Sequence, residues 1–505
     1  MEKRLILAIA LSMAVLLTWS LMVPKPQPVV NKEVVATELV STKAPEATTA
    51  TMADIPAKDI LPGAIIKFDR PEFEISFIES RAAIKEVSFK KFKSNVFAVG
   101  QGLELEDPEL KFKTLSQGLD QITFVHEDKD KVVTKKFTFS NTSYAIGLEI
   151  NVRNKSANEL SLSTPLLVGD LNFGTDARNN MFQDITVSTT EKILHPGARK
   201  NKSFDNVKFI SIRDRYFCFI VQPEKTEYTG FAKLLTKHET QVGLIGQKTV
   251  LQPGIQIGHF YAGYLGPQEF KTIKNINPDW TAVMYFGTFD FIAQLLLQLL
   301  EFLHGMVHNW GLAIVLLSLI IYGILFPLSL KQMRSMKEMQ ILQPRIEALR
   351  KEHKDNPQKL NKEIMELYKE HKVNPLGGCL PMLLQIPVFF ALYQALIRSV
   401  ALKGANFLWI KDLSQPDRLF VLPNSLPLIG KDINILPLLM MIGMFFQQKI
   451  TMKNSGQANE QQKIMLIVFP LMFGFIFYNM PSGLVLYWFI NSTLMLVQQI
   501  RTNAK

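Results

Sequence analysis

Histidines, two cysteines and a serine in a tight turn are the residues here whose types could support covalent or metal chemistry. His304 and His308 are four apart and could share a helix face, but the glutamate that a zinc protease carries between its histidines is missing. His126, His195, His238 and His259 are scattered without metal spacing or a nearby carboxylate pattern, and read as ordinary core or surface residues. Ser482, in Pro481-Ser482-Gly483, could suggest an intramembrane serine protease, yet the neighbouring apolar stretches offer no histidine to act as its base. Leu376-Gly377-Gly378-Cys379 is glycine-rich but lacks the lysine of a phosphate-cradling loop, and no GxxxxGK[ST] string occurs. No metal, no cofactor and no ATP hydrolysis are expected, and the chain reads as a non-enzyme.

Uncharged polarity inside long apolar stretches is the more informative chemistry. Ser318, Tyr322, Gln385, Gln394, Gln447, Gln448, Asn491, Ser492 and Thr493 all lie in or at the ends of such stretches. Polar groups in lipid must face protein or water, so a wet cavity among the spans is expected; Gln447 and Gln448 read as interfacial caps. The five later stretches hold no Asp, Glu, His or Lys in their apolar interiors, which disfavours ion-coupled transporters and proton pumps.

Six apolar stretches must position these groups. Leu5 to Val23 runs 19 residues without a charge behind Lys3 and Arg4, long enough to span, and no small-x-small cleavage site follows it, so 1–23 reads as an uncleaved anchor. The other five are Met306 to Leu330, Leu376 to Val400, Ile433 to Gln448, Ile464 to Met480 and Gly483 to Gln499. Pro437 and Pro470 within them are tolerable because neighbouring helices can satisfy the freed carbonyls. Six spans put both termini on one side, and charge decides which. The chain of 505 residues has a net charge of +11. With both termini inside, the inner segments carry +9, residues 24–305 are neutral with 33 basic and 33 acidic residues, and the outer loop 401–432 and Arg398 carry +1 each. The excess is a topology signal that fits the termini on the cytoplasmic side, and gives no sign of a nucleic-acid-binding domain. Cys218 and Cys379 then lie on opposite sides and never pair.

Between the first two spans, residues 24–59 are rich in Pro, Ala, Thr, Val and Glu and read as a flexible tether. From 60 to 285 the pattern has period two: Tyr144, Ile146, Leu148, Ile150 and Val152 alternate with Ala145, Gly147, Glu149 and Asn151. Such runs between Gly, Asn and Asp turns argue for an exported, mostly antiparallel β-sandwich, read as non-catalytic. Residues 286–305 follow as an amphipathic helix, with Asp290, Gln294, Gln298 and Glu301 on one stripe, suited to lying in the outer interface. Residues 331–374 read as a cytoplasmic helical hairpin broken at Asn356-Pro357, with Met333, Met336, Met339, Ile346 and Leu349 on one arm and Leu360, Ile364 and Leu367 on the other. Methionine suits a surface that must accept varied apolar partners, although these residues could equally pack arm on arm. The tail, 501–505, is short.

Lys372-Val373-Asn374-Pro375-Leu376-Gly377-Gly378-Cys379-Leu380-Pro381, followed by Gln385-Ile386-Pro387 and Phe389-Phe390-Ala391-Leu392-Tyr393, resembles the YidC/Oxa membrane-protein insertase family. So do Pro481 to Trp488 and Leu342-Gln343-Pro344, over roughly 305–500, while Tyr264-Leu265-Gly266-Pro267 resembles the end of the exported domain of the Gram-negative form. The resemblance implies an α-helical polytopic membrane protein of six transmembrane helices, a five-helix insertase core at 306–500 and a periplasmic β-sandwich, located in the bacterial inner membrane. It implies a hydrophilic groove that passes a client's polar segment while its apolar helix slides into lipid, alone or with the Sec translocon. Groove residues by this resemblance are Ser318, Tyr322, Gln385, Arg398, Asn491 and Ser492; client contacts are Cys379, Pro381, Phe389, Tyr393, Phe473, Tyr487 and Trp488. Met333, Met336, Arg345 and Lys362 on the hairpin are the expected contacts for ribosome or signal-recognition components. The family usually has an arginine where this chain has Tyr322, immediately before Gly323. Arg398 is then either an interfacial residue that snorkels outward or a partial replacement for that charge. A non-inserting structural partner or chaperone of the secretory channel is the alternative function.

Overall fold

The computed structural model describes residues 64–92, 95–141, 143–162, 165–174, 180–353, 356–371, 380–426, 430–453 and 460–503. The expected anchor at 1–23, the tether at 24–59, the Gly-rich turn and Cys379 lie outside them, as do the side chains of Met336 and Pro381.

Period-two alternation builds the first half. Along strand Ala145–Asn154 the side chains of Ile146, Leu148, Ile150 and Val152 are buried and those between them are not. This strand lies inside a nine-stranded antiparallel sheet whose order runs Ile193–Leu194, Asp184–Thr189, Val207–Arg213, Phe217–Pro223, Gln256–Pro267, Ala145–Asn154, Lys131–Phe139, Gln121–Glu127, Lys113–Gln117. Two four-stranded sheets cover its inner face. One runs Ile65–Asp69, Phe73–Ile78, Ala83–Phe89, Asn95–Gly102; the other runs Leu166–Asn172, Glu239–Ile245, Thr229–Thr236, Lys202–Phe204. Aromatic rings fill the gap between layers: Phe77 lies 5.5 Å from Phe124 and 5.0 Å from Phe137, and Phe89 stacks on Phe217 at 4.3 Å. Such contacts each add about 0.5–1.5 kcal/mol beyond area burial.

Strand Lys131–Phe139 holds an exception to the pattern. Val133, Phe137 and Phe139 point inward, and so does Lys135, which is fully buried. Its ammonium donates to the carbonyls of Ala82, at 2.6 Å, and Leu103, and lies 5.4 Å from the centroid of the Phe137 ring. Ala82 and Leu103 both have positive φ, 44° and 60°, where a non-glycine residue needs compensation. Lys135 supplies it by holding both turns from inside. Nearby, the Arg81 Nε donates to buried Glu104 at 2.6 Å.

Helices make the second half: α1 (Phe270–Ile276), α2 (Asp290–Val307), α3 (Trp310–Glu352), α4 (Pro357–Glu370), α5 (Leu380–Arg398), α6 (Ile435–Lys453), α7 (Glu460–Tyr478) and α8 (Ser482–Asn503). By length and composition, Asp290–Val307, Trp310–Lys331 and Ser482–Arg501 could each cross a membrane, and Ile435–Ile450 and Leu466–Tyr478 are shorter apolar helices. Outward faces are apolar: Ile467, Leu471 and Phe475, four apart on α7, are all exposed, as are Phe291, Leu295, Phe302 and Met306 on α2. The opposite face of α2, Ala293, Leu296, Leu297, Leu300 and Leu303, is buried in the bundle. The hairpin forms in a different way from the expected separate pair of helices. α3 is one 43-residue helix that continues past the apolar stretch through Pro327 and Pro344, so its far end serves as the first arm. There Leu342 and Ile346 are buried against Ile364, Leu367 and Tyr368 of the second arm, and Asn356 caps it by accepting from the Lys359 N–H at 3.1 Å.

Burial drives the Lys135 ammonium down from its ordinary 10.5 to about 7, against a smaller upward pull from Glu104. Below pH 7 folded and unfolded chains both hold the proton. Between pH 7 and 10.5 the unfolded chain holds a proton the folded chain has released, so stability rises with pH there. Denaturant unfolding of the detergent-solubilised chain and of Lys135→Met will therefore show the wild type gaining on the variant as pH rises from 7 to 10, by at most about 1.4 kcal/mol per pH unit.

Candidate functional site

α8 carries the polar groups of the bundle on one face. Tyr487, Asn491 and Gln498, at spacings of four and seven, fall on one side of a 3.6-residue helix and are all buried. The helix begins where it does because the loop 401–426 satisfies its first donors. Ser482 N–H donates to the Gln415 carbonyl at 2.8 Å and Gly483 N–H to the Leu413 carbonyl at 2.9 Å, while the Ser482 hydroxyl donates to the Asp412 carbonyl at 3.1 Å. Ser482 is therefore a start signal for the helix. Asp417 does the same for α6, accepting from the N–H groups of Ile435 and Leu436 at 2.8 and 2.9 Å. One loop thus fixes the starts of two helices.

Partners for the stripe come from α3 and α5. The Gln385 amide donates to the Tyr487 hydroxyl. Asn491 Nδ2 donates to the Tyr487 carbonyl one turn earlier, at 3.3 Å. Nearer the far end of α8, the Tyr322 hydroxyl donates to Gln498 Oε1 at 2.6 Å, and the Ser329 hydroxyl donates to the same oxygen at 3.1 Å. Two of these residues, Gln498 and Ser329, were not singled out in the sequence; the i+7 step from Asn491 to Gln498 was the available signal. Ser318 is buried and turns its hydroxyl onto the Ile314 carbonyl of its own helix at 2.7 Å, and Ser492 is buried beside Asn491. The arrangement can exchange hydrogen bonds, and among the described residues it holds no nucleophile beside a base.

A second cluster lies where α5, α7 and α8 meet. Phe389 is edge-on to Trp488 at 5.2 Å and 5.7 Å from Phe477; Phe473 is 5.6 Å from Trp488, and Tyr393 stacks on Phe389 at 6.5 Å. Four of the expected client contacts, Phe389, Tyr393, Phe473 and Trp488, are thereby brought together and remain half-buried. Tyr487 is placed apart from them, fully buried in the polar stripe.

Arg398 is not brought to the stripe. It ends α5 on the side facing the sandwich, where its Nε donates to Gln394 Oε1 at 3.3 Å and its guanidinium lies 5.5 Å from the centroid of the Phe182 ring. Its neighbours are the sandwich residues Arg213 and Phe182, whereas Tyr322 bonds to Gln498, 16 residues along α8 from Ser482. The two histidines considered for metal do not share a helix face either. His304 stacks on Trp310 at 3.8 Å, and His308 leaves α2 with a φ of 53°. On the hairpin, Arg345 lies 3.2 Å from the His371 ring, Lys362 pairs loosely with Glu366 at 3.9 Å, and Met333 is half-buried.

Comparison with known proteins agrees in both halves. Residues 104–299 match the family model "YidC periplasmic domain", and residues 302–505 match "60Kd inner membrane protein". A membrane protein insertase YidC from Geotalea daltonii is 31% identical over 547 residues, covering 100% of this chain and 99% of the relative. One from Pelobacter propionicus is 32% identical over 561 residues with the same coverage. Among solved structures, an active YidC insertase with its first transmembrane domain resolved aligns at 20% identity and a TM-score of 0.41, covering 87% of this chain and 92% of that one. With relatives this similar along their whole length, the chain belongs to the YidC membrane-protein insertase family.

Proposed function

We propose that this chain inserts client membrane proteins by letting a client's polar segment exchange hydrogen bonds with the stripe on α8 while its apolar helix moves past the aromatic cluster into lipid. The observation that carries the reading is the stripe itself: Tyr487 paired to Gln385, Gln498 paired to Tyr322 and Ser329, and Asn491 bonded back to the Tyr487 carbonyl, inside a bundle whose outward faces are apolar. Carrying a charge through hydrocarbon costs from about 3 to over 10 kcal/mol depending on the reference. A polar path through part of the depth shortens the dry stretch, and partition of the client's apolar helix supplies the driving force. Groove residues in this reading are Ser318, Tyr322, Gln385, Asn491 and Ser492, joined by Ser329 and Gln498; Phe389, Tyr393, Phe473 and Trp488 are the client's sliding surface, and Cys379 and Pro381 are client contacts by the resemblance alone. Arg398 is reassigned to seating the sandwich.

The chain is an inner-membrane protein with a periplasmic domain, and its clients are membrane proteins in a lipid bilayer. The finer assignment we favour puts both termini in the cytoplasm, the hairpin residues Met333, Met336, Arg345 and Lys362 in contact with ribosome or signal-recognition components, and the Sec translocon as an alternative route. The inner basic excess supports that orientation.

Reconstituting the pure chain in liposomes and following a small two-span client by protease protection tests the reading. The wild type is expected to insert the client, and Gln385→Leu with Asn491→Leu to lower the rate by about tenfold, equivalent to roughly 1.4 kcal/mol. Insertion only when a secretory channel is added would favour the non-inserting partner. The charge question has its own measurement: Arg398→Ala is expected to insert an acidic-tailed client as fast as the wild type, and a selective loss for that client would return Arg398 to the groove.

A further inference from the structure

A cleft of about 590 Å³, within the range of small-molecule sites, opens between the edge of the nine-stranded sheet and the start of α2. Three elements build it. The first is the turn between strands Asp184–Thr189 and Ile193–Leu194, which Thr189 holds closed: its hydroxyl donates to the Lys192 carbonyl at 3.0 Å and accepts the Lys192 N–H at 3.1 Å. The second is strand Val207–Arg213. Ser188 pairs with Phe209 and Thr189 with Val207, so Lys208 is the extra residue of a bulge, a device that re-aims a side chain. The third is the tight helical segment Pro278–Val283, anchored by buried Trp280 and Val283, with the Asn277 side chain accepting the Asp279 N–H at 3.0 Å. Gln294 of α2 completes the lining, and its amide donates to Asp290 Oδ2 at 2.9 Å.

The charges of the cleft are balanced and kept apart. Two ammonium groups, Lys192 and Lys208, and two carboxylates, Glu191 and Asp279, share the lining, yet among the described residues none of the four forms an ion pair. An anion entering the cleft meets two carboxylates, and a cation meets two ammonium groups. A ligand that carries both charges close together finds a partner for each. Among the described residues the lining has no aromatic ring of the kind that cages a quaternary ammonium. The cation that fits is therefore a primary ammonium, whose three N–H donors suit carboxylates.

Apolar surface adjoins this polar pocket. Phe291, Leu295, Phe302 and Met306 are exposed and fall within about 60° of one another around α2, and Gln294 lies beside that stripe. Ile193, which is also exposed, lines the cleft from the sheet side. An occupant whose polar end fills the cleft thus has apolar surface beside it for the rest of its length. Charged head and apolar tail together describe a phospholipid.

We propose that the cleft binds the head group of a phosphatidylethanolamine from the periplasmic leaflet, with its phosphate on Lys192 and Lys208, its ammonium on Glu191 and Asp279, and its acyl chains along Phe291 and Leu295. The lipid joins the sheet edge, the 278–283 segment and α2 at head-group level, and so holds the sandwich at a fixed height over the bilayer. Native mass spectrometry of the full-length chain in detergent tests this, with dioleoyl phosphatidylethanolamine, phosphatidylcholine and phosphatidylglycerol offered in equal amounts. Lipid lodged loosely on the apolar bundle has the same chains in all three cases, so the ratio reads the head group. The wild type is expected to retain phosphatidylethanolamine about tenfold better than either of the others. Lys192→Ala with Lys208→Ala is expected to abolish that preference, and Glu191→Gln with Asp279→Asn to let phosphatidylglycerol bind as well as phosphatidylethanolamine. All four side chains are exposed, and an unchanged melting temperature checks that each variant is folded. Equal retention of the three lipids, or a wild-type preference for phosphatidylglycerol, overturns the assignment. So does displacement by free O-phosphoethanolamine at the concentration of the lipid, which would make the ligand a soluble one, and so does Ile193→p-benzoylphenylalanine crosslinking to a polypeptide instead of a lipid in native membranes. None of these outcomes bears on the stripe of α8, so the proposed insertion stands or falls separately.

Discussion

A polar side chain in an apolar bundle has to be paired, because each buried donor or acceptor left without a partner costs about 1–3 kcal/mol. That constraint organises the membrane core. Tyr487 and Gln498 face inward because Gln385 reaches the first and Tyr322 and Ser329 the second, while Asn491 between them bonds back to the Tyr487 carbonyl, and the cross-helix pairings fix the register of α3 and α5 against α8. The loop between α5 and α6 applies the same rule at the helix ends, with Asp417 and the carbonyls of Leu413 and Gln415 taking up N–H groups that no helix can satisfy internally.

The sandwich is seated by arginines obeying the rule in reverse, charged donors that find carbonyls. Buried Arg213 donates to the Val283 and Tyr285 carbonyls at 2.6 and 3.0 Å and pairs with Asp184 at 2.8 Å, which pins the segment leading into α2. Arg215 donates from Nε to the Ile397 carbonyl at 2.7 Å and from Nη2 to the Ser414 carbonyl at 3.0 Å. Ile397 lies in the last turn of α5, where a helix presents its negative end, so the contact gains from the macrodipole as well. Guanidinium suits this seat because its planar donors reach two carbonyls at once.

Periodicity made much of this legible. The alternation through Ile146, Leu148, Ile150 and Val152 is the burial pattern of its strand, and the Asn356-Pro357 break is the capped start of α4. Partner choice was not legible, because period shows a face and not what faces it. Lys135 falls on the inward phase of its strand, yet nothing in the sequence shows the two carbonyls that accept its protons. Gln498 sits at the end of an apolar stretch, where an interfacial cap and a partner for Tyr322 look alike. Pro327 lies inside the apolar part of α3 without ending it, since proline costs a membrane helix little when neighbours resatisfy the carbonyl it frees. Arg398 looked available to the groove until the fold set it under Phe182.

An uncharged stripe also changes what a client must do to enter. Net exchange of one neutral hydrogen bond for another is worth only about 0.5–1.5 kcal/mol. Breaking a buried ion pair by taking one partner costs about 3–5 kcal/mol. On the proposed reading, Tyr322, Ser329 and Gln498 can release one another to a passing amide or hydroxyl and close again behind it with little net change. A fixed charge at Tyr322 would hold an acidic segment more tightly and would also have to be neutralised whenever the path stood empty. The neutral network gives up that attraction, and in return the empty bundle is left with no unpaired charge to bury at that depth.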